Sequence, residues 1–417
     1  MAVMDCDVLV VGAGLAGLRA AAGLTDRHTE VLEARPEVGG RVRTEVVDGF
    51  RCDVGFQLVN PSYPRLRADV DLAALGLQPF VAGVCARTED GDVTVADPRR
   101  HPGLLPTTLR SGFVRPVELA RIARWVAPVL VAPQRMLTSP DRAWGEALDR
   151  LGATGTVRHR LLVRFLAGVL LEDDGSSSAH LVRLLLRSFA LGTPSLPREG
   201  VQALPRQLAD RLPRPVRCSE PVTAITRAGS GWRVTTEAAT WTARAVVVAT
   251  DTADAGGLLP DLPPAPMKGV TTWWYAVAAE EVAELALPDA LRVDGRERRG
   301  PLVNAAVVSA AAPSYAPPGR ALLQGSALLG PGQRVTDEAA RRHLEELLQL
   351  APGRAELLVR HDVDRGLPAQ PPPLHVRQPQ QLAPGLFVCG DHRDTGSQQG
   401  ALASGARVAE LVRAQTA

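Results

Sequence analysis

The stretch VLVVGAGLAGLRAAAGL, residues 8–24, constrains this chain more than any other. Cys6 to Val11 reads as a buried strand, Leu15 to about Thr25 as a helix, and Thr29 to Glu33 as a second strand, a βαβ opening. Gly12, Gly14 and Gly17 stand between the first strand and the helix as G-x-G-x-x-G. In that motif the first glycine permits a tight turn, the second lets backbone approach a pyrophosphate, and the third lets helix and strand pack closely. The helix N-terminus adds free N–H groups and partial positive charge for phosphates. Glu33, ending the second strand, is placed to accept hydrogen bonds from a ribose 2′-hydroxyl and to repel a 2′-phosphate. A bare glycine turn is the alternative, and this full context argues against it. The unit reads as an adenine-dinucleotide site.

Composition narrows the rest. The chain has 417 residues, room for about two or three domains' worth of core. Its 45% apolar and 22% charged residues are those of an ordinary globular protein. A net charge of +2 implies no nucleic-acid partner, and 4% aromatics leave little to stack on bases. Cys6, Cys52, Cys85, Cys218 and Cys389 show no metal-ligand spacing and read as buried thiols, so no metal is expected. Asp5 and Asp7 precede the first apolar run, which lacks a basic leader, and no run reaches the ~18 apolar residues of a membrane span. A cytoplasmic location is expected. Of 47 basic residues only Lys268 is a lysine.

Strand-rich pieces at residues 1–58, 198–257 and 382–417 share one character. The intervening pieces share another. Residues 61–192 carry helical spacing, with Ser139 and Ser176 as candidate caps, whereas GVTTWWYAVAAEE, NAAVVSAAA and ALLQGSALLG read as strands and TDEAARRHLEELLQLAPG as a helix begun by Thr336 or Asp337. The expected fold class is α/β: a Rossmann-like dinucleotide domain (1–58, 198–257, 382–417) interwoven with a mixed-sheet-plus-helices substrate domain (59–197, 258–381).

From Glu33 the chain continues E-A-R-P-E-V-G-G-R-V-R-T. This resembles the flavin-containing amine oxidases, protoporphyrinogen oxidases and phytoene (carotenoid) desaturases, where E-x-R-x-x-x-G-G-R follows the second strand. The resemblance implies FAD as cofactor. It sets Gly39, Gly40 and Arg41 against the pyrophosphate, Glu33 on the adenosine ribose and Arg35 nearby. A planar guanidinium suits phosphate oxygens. The same families place a D-x-G after the next strand, matched by Asp53 and Gly55 with Gln57 just beyond; a glycine there leaves a flat ring clear.

Near the other end stands LFVCGDHRDTGSQQGALASG. By the same resemblance an extended FAD needs a second anchor, where Gly390 and Asp391 lie near the ribityl chain or pyrophosphate and a final helix, with Gln399 and Gly400 at its start, meets the flavin. Val222 matches a position whose backbone meets the adenine. Cys389 lies in a strand with buried neighbours, so FAD is expected to be held non-covalently. His392 and Arg393 read as solvent-facing loop residues.

The reading that follows is an FAD-dependent oxidoreductase. It removes a hydride from an apolar or mixed-polarity small molecule, at a C–C or C–N bond, to flavin N5, with O2 or another acceptor as partner. Lys268 is the catalytic candidate, because related amine oxidases hold a lysine near N5 where arginine would not serve. The final segment lacks the aromatic residues of an amine cage, and Trp273 and Tyr275 fall on one strand face with Trp274 on the other. Three alternatives stay open: an amine oxidase using Lys268 and O2, a non-redox isomerase or mutase on reduced FAD, and a non-catalytic flavin-binding protein. The arginine-leucine helices read either as core helices or as a peripheral membrane contact.

Overall fold

The computed structural model describes residues 2–416 apart from 331 and 333. Along the first part of the chain run β1 (Ala2–Val11), α1 (Leu15–Ala22), β2 (Thr29–Leu32), the hairpin β3 (Thr44–Val47) and β4 (Phe50–Asp53), and the pair β5 (Gly83–Thr88) and β6 (Gly91–Ala96). The helices α2 (Pro116–Val131), α3 (Val163–Leu170) and α4 (Ala179–Leu191) follow. Then come β7 (Val222–Ala228), β8 (Gly231–Thr236), β9 (Ala239–Val248), β10 (Met267–Ala278), β11 (Leu291–Asp294), β12 (Asn304–Val307) and β13 (Arg320–Leu329). The last are α5 (Asp337–Leu347), β14 (Glu356–Pro368), β15 (Gln381–Ala383), β16 (Leu386–Val388) and α6 (Gln398–Thr416). The chain is a mixed α/β protein.

Two seven-stranded sheets carry it. The first has the order β15-β16-β9-β1-β2, with β8 and β7 added beside β9. Its β16, β9, β1 and β2 are mutually parallel, and Val8, Leu9 and Val10 are fully buried, as strands covered on both faces require. Alternation sends Val8 and Val10 toward α1 and α6, and Leu9 and Val11 toward Trp241 and Val246. The second sheet runs β14-β10-β13-β12-β11-β5-β6 and is antiparallel except for β11 beside β5.

The first and last helices pack on each other almost backbone to backbone. A Cβ on Gly405 of α6 would lie 2.3 Å from the Ala16 carbonyl of α1, and one on Gly23 would lie 2.6 Å from the Ala409 methyl. Only glycine allows that approach. In β10, Trp273 and Tyr275 join the cluster under α5, while Trp274 joins the core on the other side, as alternation requires.

Several local expectations need correction. The cap of α4 is Ser178, which accepts from Leu181 N–H; Ser176 instead donates to Glu172 at 2.9 Å. Ser139 follows a short helix and binds Met136 O and the His180 ring. The expected strand NAAVVSAAA ends at Val307 and turns into a helical segment, Val308–Ala311. Thr336 does cap α5. Helix α2 buries Ile122, Trp125 and Val129 and leaves Val117 and Val131 exposed. Among the described residues no helix is long and apolar enough to cross a membrane.

Candidate functional site

At the C-terminal end of β1 the chain turns through Gly12, whose φ of +102° lies in the left-handed region. Gly17 must be a glycine for space: a Cβ there would stand 2.0 Å from the Gly12 carbonyl. A Cβ on Gly14 would meet nothing within 4 Å, so the loop faces open space. The N-terminus of α1 has no side-chain cap and no acidic residue in its first turn. Its N–H groups and dipole therefore point at that space uncompensated by side chains, as an anion site requires.

A second turn is bolted to this loop. Gly39 N–H donates to Ala13 O at 2.9 Å, and a Cβ on Gly40 would lie 3.4 Å from Gly14 Cα. Glu33 is buried; its carboxylate accepts from Ala13 N–H at 2.7 Å and from Arg35 N–H at 3.0 Å. The Arg35 side chain is exposed. Loop, turn and acidic residue thus form one backbone-built cradle.

Arg41 crosses the molecule from there. One guanidinium nitrogen donates to Gly366 O at 2.8 Å and another to Asp391 Oδ1 at 2.5 Å. Gly390, at the end of β16, donates its N–H to Ser404 Oγ at 3.0 Å, and Gln380 Nε2 donates to the same oxygen at 2.9 Å. Sequence reasoning singled out Gly390 and Asp391 but missed Ser404 and Gln380, whose only signal is polarity within an apolar helix and strand edge.

The other candidates fall as follows. Gly55 faces the β10–β14 pair: a built Cβ would lie at ordinary contact distance, 3.9 Å from Val270 Cγ1 of β10 and 4.0 Å from Val363 Cγ2 of β14. Gln57 spends its amide on Arg41 O (2.7 Å) and Val54 O (3.0 Å), so it supports Arg41. Gln399 Oε1 accepts from Arg65 N–H at 2.8 Å, and Gly400 N–H donates to Ser397 Oγ at 3.1 Å, opening α6. Val222 is half-buried at the start of β7, against the far core of the first sheet. His392 corrects an expectation, because it is buried. Its ring lies against Gly390, where a Cβ would come within 2.5 Å of it, and its Nε2 has no hydrogen-bond partner among the described residues. Burial pulls the ring down to about 4.

Lys268 stands near the start of β10, opposite Leu367 of β14. Its Nζ pairs with Glu172 Oε2 and donates to Ser177 Oγ at 3.0 Å. Glu172 is buried and also accepts from Trp144 Nε1 (3.0 Å), Ser177 N–H (2.9 Å), Ser176 Oγ and Ser177 Oγ. Burial alone would push its carboxyl up; the Lys268 and Ser177 hydrogen bonds and the lysine charge hold it below the usual range. The Lys268 carbonyl lies 3.3 Å from a Cβ built on Gly366, the residue whose carbonyl takes Arg41. Lysine, arginine and Gly55 therefore converge on the β10–β14 pair.

An elongated ligand with a diphosphate fits these residues. The cradle is open where a Cβ would sit on Gly14, no side chain caps the α1 N-terminus, and an orphaned buried nitrogen of His392 adjoins Gly390.

Comparison with known proteins agrees. Over 79 residues, 18% of this chain and 16% of the relative, the sequence is 47% identical to a putrescine oxidase of Kocuria rosea. Over 264 residues, 58% of this chain and 56% of the relative, it is 29% identical to a candidate flavin-containing monoamine oxidase of Mycobacterium tuberculosis. The matches thus span about half or less of these curated relatives. The fold is similar to that of cyclohexylamine oxidase from Brevibacterium oxydans, with a TM-score of 0.71 over 99% of both chains at 19% identity. The family model for flavin containing amine oxidoreductases matches residues 15–413. The cradle at β1, the arginine bridge to Gly390–Asp391 and this match lead to one conclusion: the chain belongs to the flavin-containing amine oxidoreductase family.

Proposed function

We propose that this protein holds FAD non-covalently and oxidises an apolar or mixed-polarity small molecule at a C–C or C–N bond. The observation that carries the reading is the meeting of the chain's two ends: the Gly12–Gly17 cradle, the Gly39–Gly40 turn and the Gly390–Asp391 pair joined by Arg41. Gly12, Gly14, Gly17 and the α1 N-terminus would take the diphosphate, Glu33 the adenosine ribose, and Gly55 would leave room for the ring system. Arg41, Gly39 and Gly40 would close over the phosphates, while Asp391, Gln399 and Gly400 would face the flavin end. When bound, the flavin supplies the two-electron acceptor for a hydride lost by a substrate carbon. Lys268 is the protein group we set at the reacting edge, its Nζ a fixed donor. The two sheets support a division into an FAD part (1–58, 198–257, 382–417) and a substrate part (59–197, 258–381), with substrate at their junction. Buried Cys389 supports non-covalent binding.

The names of the relatives favour a second reading, oxidation of an amine with O2 as acceptor. Both readings are tested by reducing the purified, FAD-reconstituted protein without air and mixing it with air-saturated buffer. A protein that takes up no flavin refutes the proposal, and flavin that stays with acid-precipitated protein refutes non-covalent binding. Fast re-oxidation with peroxide release on amines selects the second reading. Slow re-oxidation directs the search to apolar substrates with artificial acceptors, and substrate conversion without net flavin reduction selects an isomerase.

A further inference from the structure

Lys268 is the one lysine in a chain where every other basic residue is arginine, and it is locked in place. The lock is Glu172, a carboxylate with 6% of its surface exposed that five donors share. Trp144 Nε1 and Ser177 N–H hold Oε1; Ser176 Oγ, Ser177 Oγ and Lys268 Nζ hold Oε2. Four of these donors belong to residues 144–177 and fix the carboxylate, and one of them, the Ser177 hydroxyl, also accepts from Lys268. An isolated buried charge would be costly, and a carboxylate so fully bonded is also immobile. The ammonium has three N–H donors; Glu172 and Ser177 take two, and the side chain keeps 16% of its surface open. The third donor is unassigned among the described residues. A guanidinium in the same slot would carry a planar fork with more donors than these two acceptors satisfy. The slot therefore selects an ammonium.

We propose that Glu172 is a positioning residue that aims the Lys268 ammonium at the flavin end of the site, with Ser177 as its second clamp. This rests on the reading that Lys268 stands beside the flavin. The lysine's third donor then points a fixed positive charge into the cleft near Gly366 and Gly55. Being tied through Glu172 to Trp144, Ser176 and Ser177, the charge holds its place when substrate enters.

Sulfite titration of the FAD-loaded protein, followed by bleaching of the flavin's visible band, tests both layers. Sulfite is an anion that adds to the flavin, so its affinity reports fixed positive charge nearby. Lys268→Met is expected to weaken sulfite affinity about tenfold or more. Glu172→Gln, which keeps an acceptor for Trp144, is expected to weaken it about threefold or more, and to add nothing in the Lys268→Met background. Ser177→Ala removes one clamp while leaving Glu172 its other partners, and is expected to act in the same direction by about twofold; it carries the test should Glu172→Gln fail to fold. Unchanged affinity in Lys268→Met refutes the reading of Lys268 itself. Where Lys268→Met acts but Glu172→Gln tightens sulfite, Glu172 is only a counter-charge and the proposal falls. It also falls where Glu172→Gln acts equally with and without the lysine, or not at all.

Discussion

Asp53 invites the most quantitative test. It is fully buried between the hairpin β3–β4 and Tyr315, accepting from Thr44 Oγ1 at 2.6 Å, from Val201 N–H at 3.1 Å and from Tyr315 OH at 3.0 Å. Burial outweighs those three donors and pushes its carboxyl from 3.8 up to about 7. The folded state therefore holds this proton more tightly than the unfolded chain does. The resulting stability is fully present below the unfolded value and is lost as pH rises through the folded one. At about 1.36 kcal/mol per pH unit, the gap from 3.8 to about 7 amounts to roughly 4 kcal/mol. Asp53→Asn abolishes the titration without changing shape. The amide oxygen keeps the Thr44 and Val201 bonds, and the Tyr315 hydroxyl rotates to accept from the new NH2. Urea unfolding of both proteins between about pH 5 and 8 is the assay, and the free-energy difference between them should move by roughly 2–3 kcal/mol in favour of the asparagine as pH rises. Curves that run parallel across that window refute the argument that burial governs this carboxyl.

Three further tests follow from the site. Arg41→Lys leaves a single ammonium where a fork spans Gly366 O and Asp391; FAD affinity, measured by titration of the stripped protein, should fall about tenfold or more, and an unchanged affinity would remove Arg41 from the cradle. Gly17→Ala sets a methyl 2.0 Å from a backbone carbonyl, so we expect a loss of about 3 kcal/mol or more in urea unfolding together with loss of retained flavin. His392, whose folded value is depressed from 6.5 to about 4 by burial, contributes stability present above 6.5 and lost as pH falls toward 4. His392→Gln should flatten that acid limb by up to about 3 kcal/mol, seen as a shallower fall in the urea midpoint.

The dinucleotide end was legible because its determinants are local. Three glycines and Glu33 lie within one βαβ unit, and their spacing encodes the turn, the close packing and the acidic strand end. The partners were not legible, since they are set by distant chain. Arg41 meets Asp391 across 350 positions and Lys268 meets Glu172 across 96, and no spacing rule connects either pair. Local propensity also lost to tertiary demand. Ser176 has the chemistry of a cap, but its hydroxyl is taken by Glu172 and the cap falls to Ser178. His392 looks like a loop residue from its polar neighbours, yet Gly390 leaves space that its ring fills. Gln57 was singled out by position alone, and its amide serves the Arg41 backbone.

The packing of α1 on α6 bears on how such a protein comes to be made. The loop of Gly12 to Gly17 is synthesised hundreds of residues before β9, β16 and the helix that seals α1. Until then β1 has its parallel neighbour β2 on one side and an unpaired edge on the other, exposing Leu9 and Val11. Pairing across so long a separation is slow, and a nascent chain in that state is open to aggregation. Cofactor capture therefore waits for α6 to be made, and a chaperone that shields β1 and β2 until β9 arrives would serve this fold better than one that acts later.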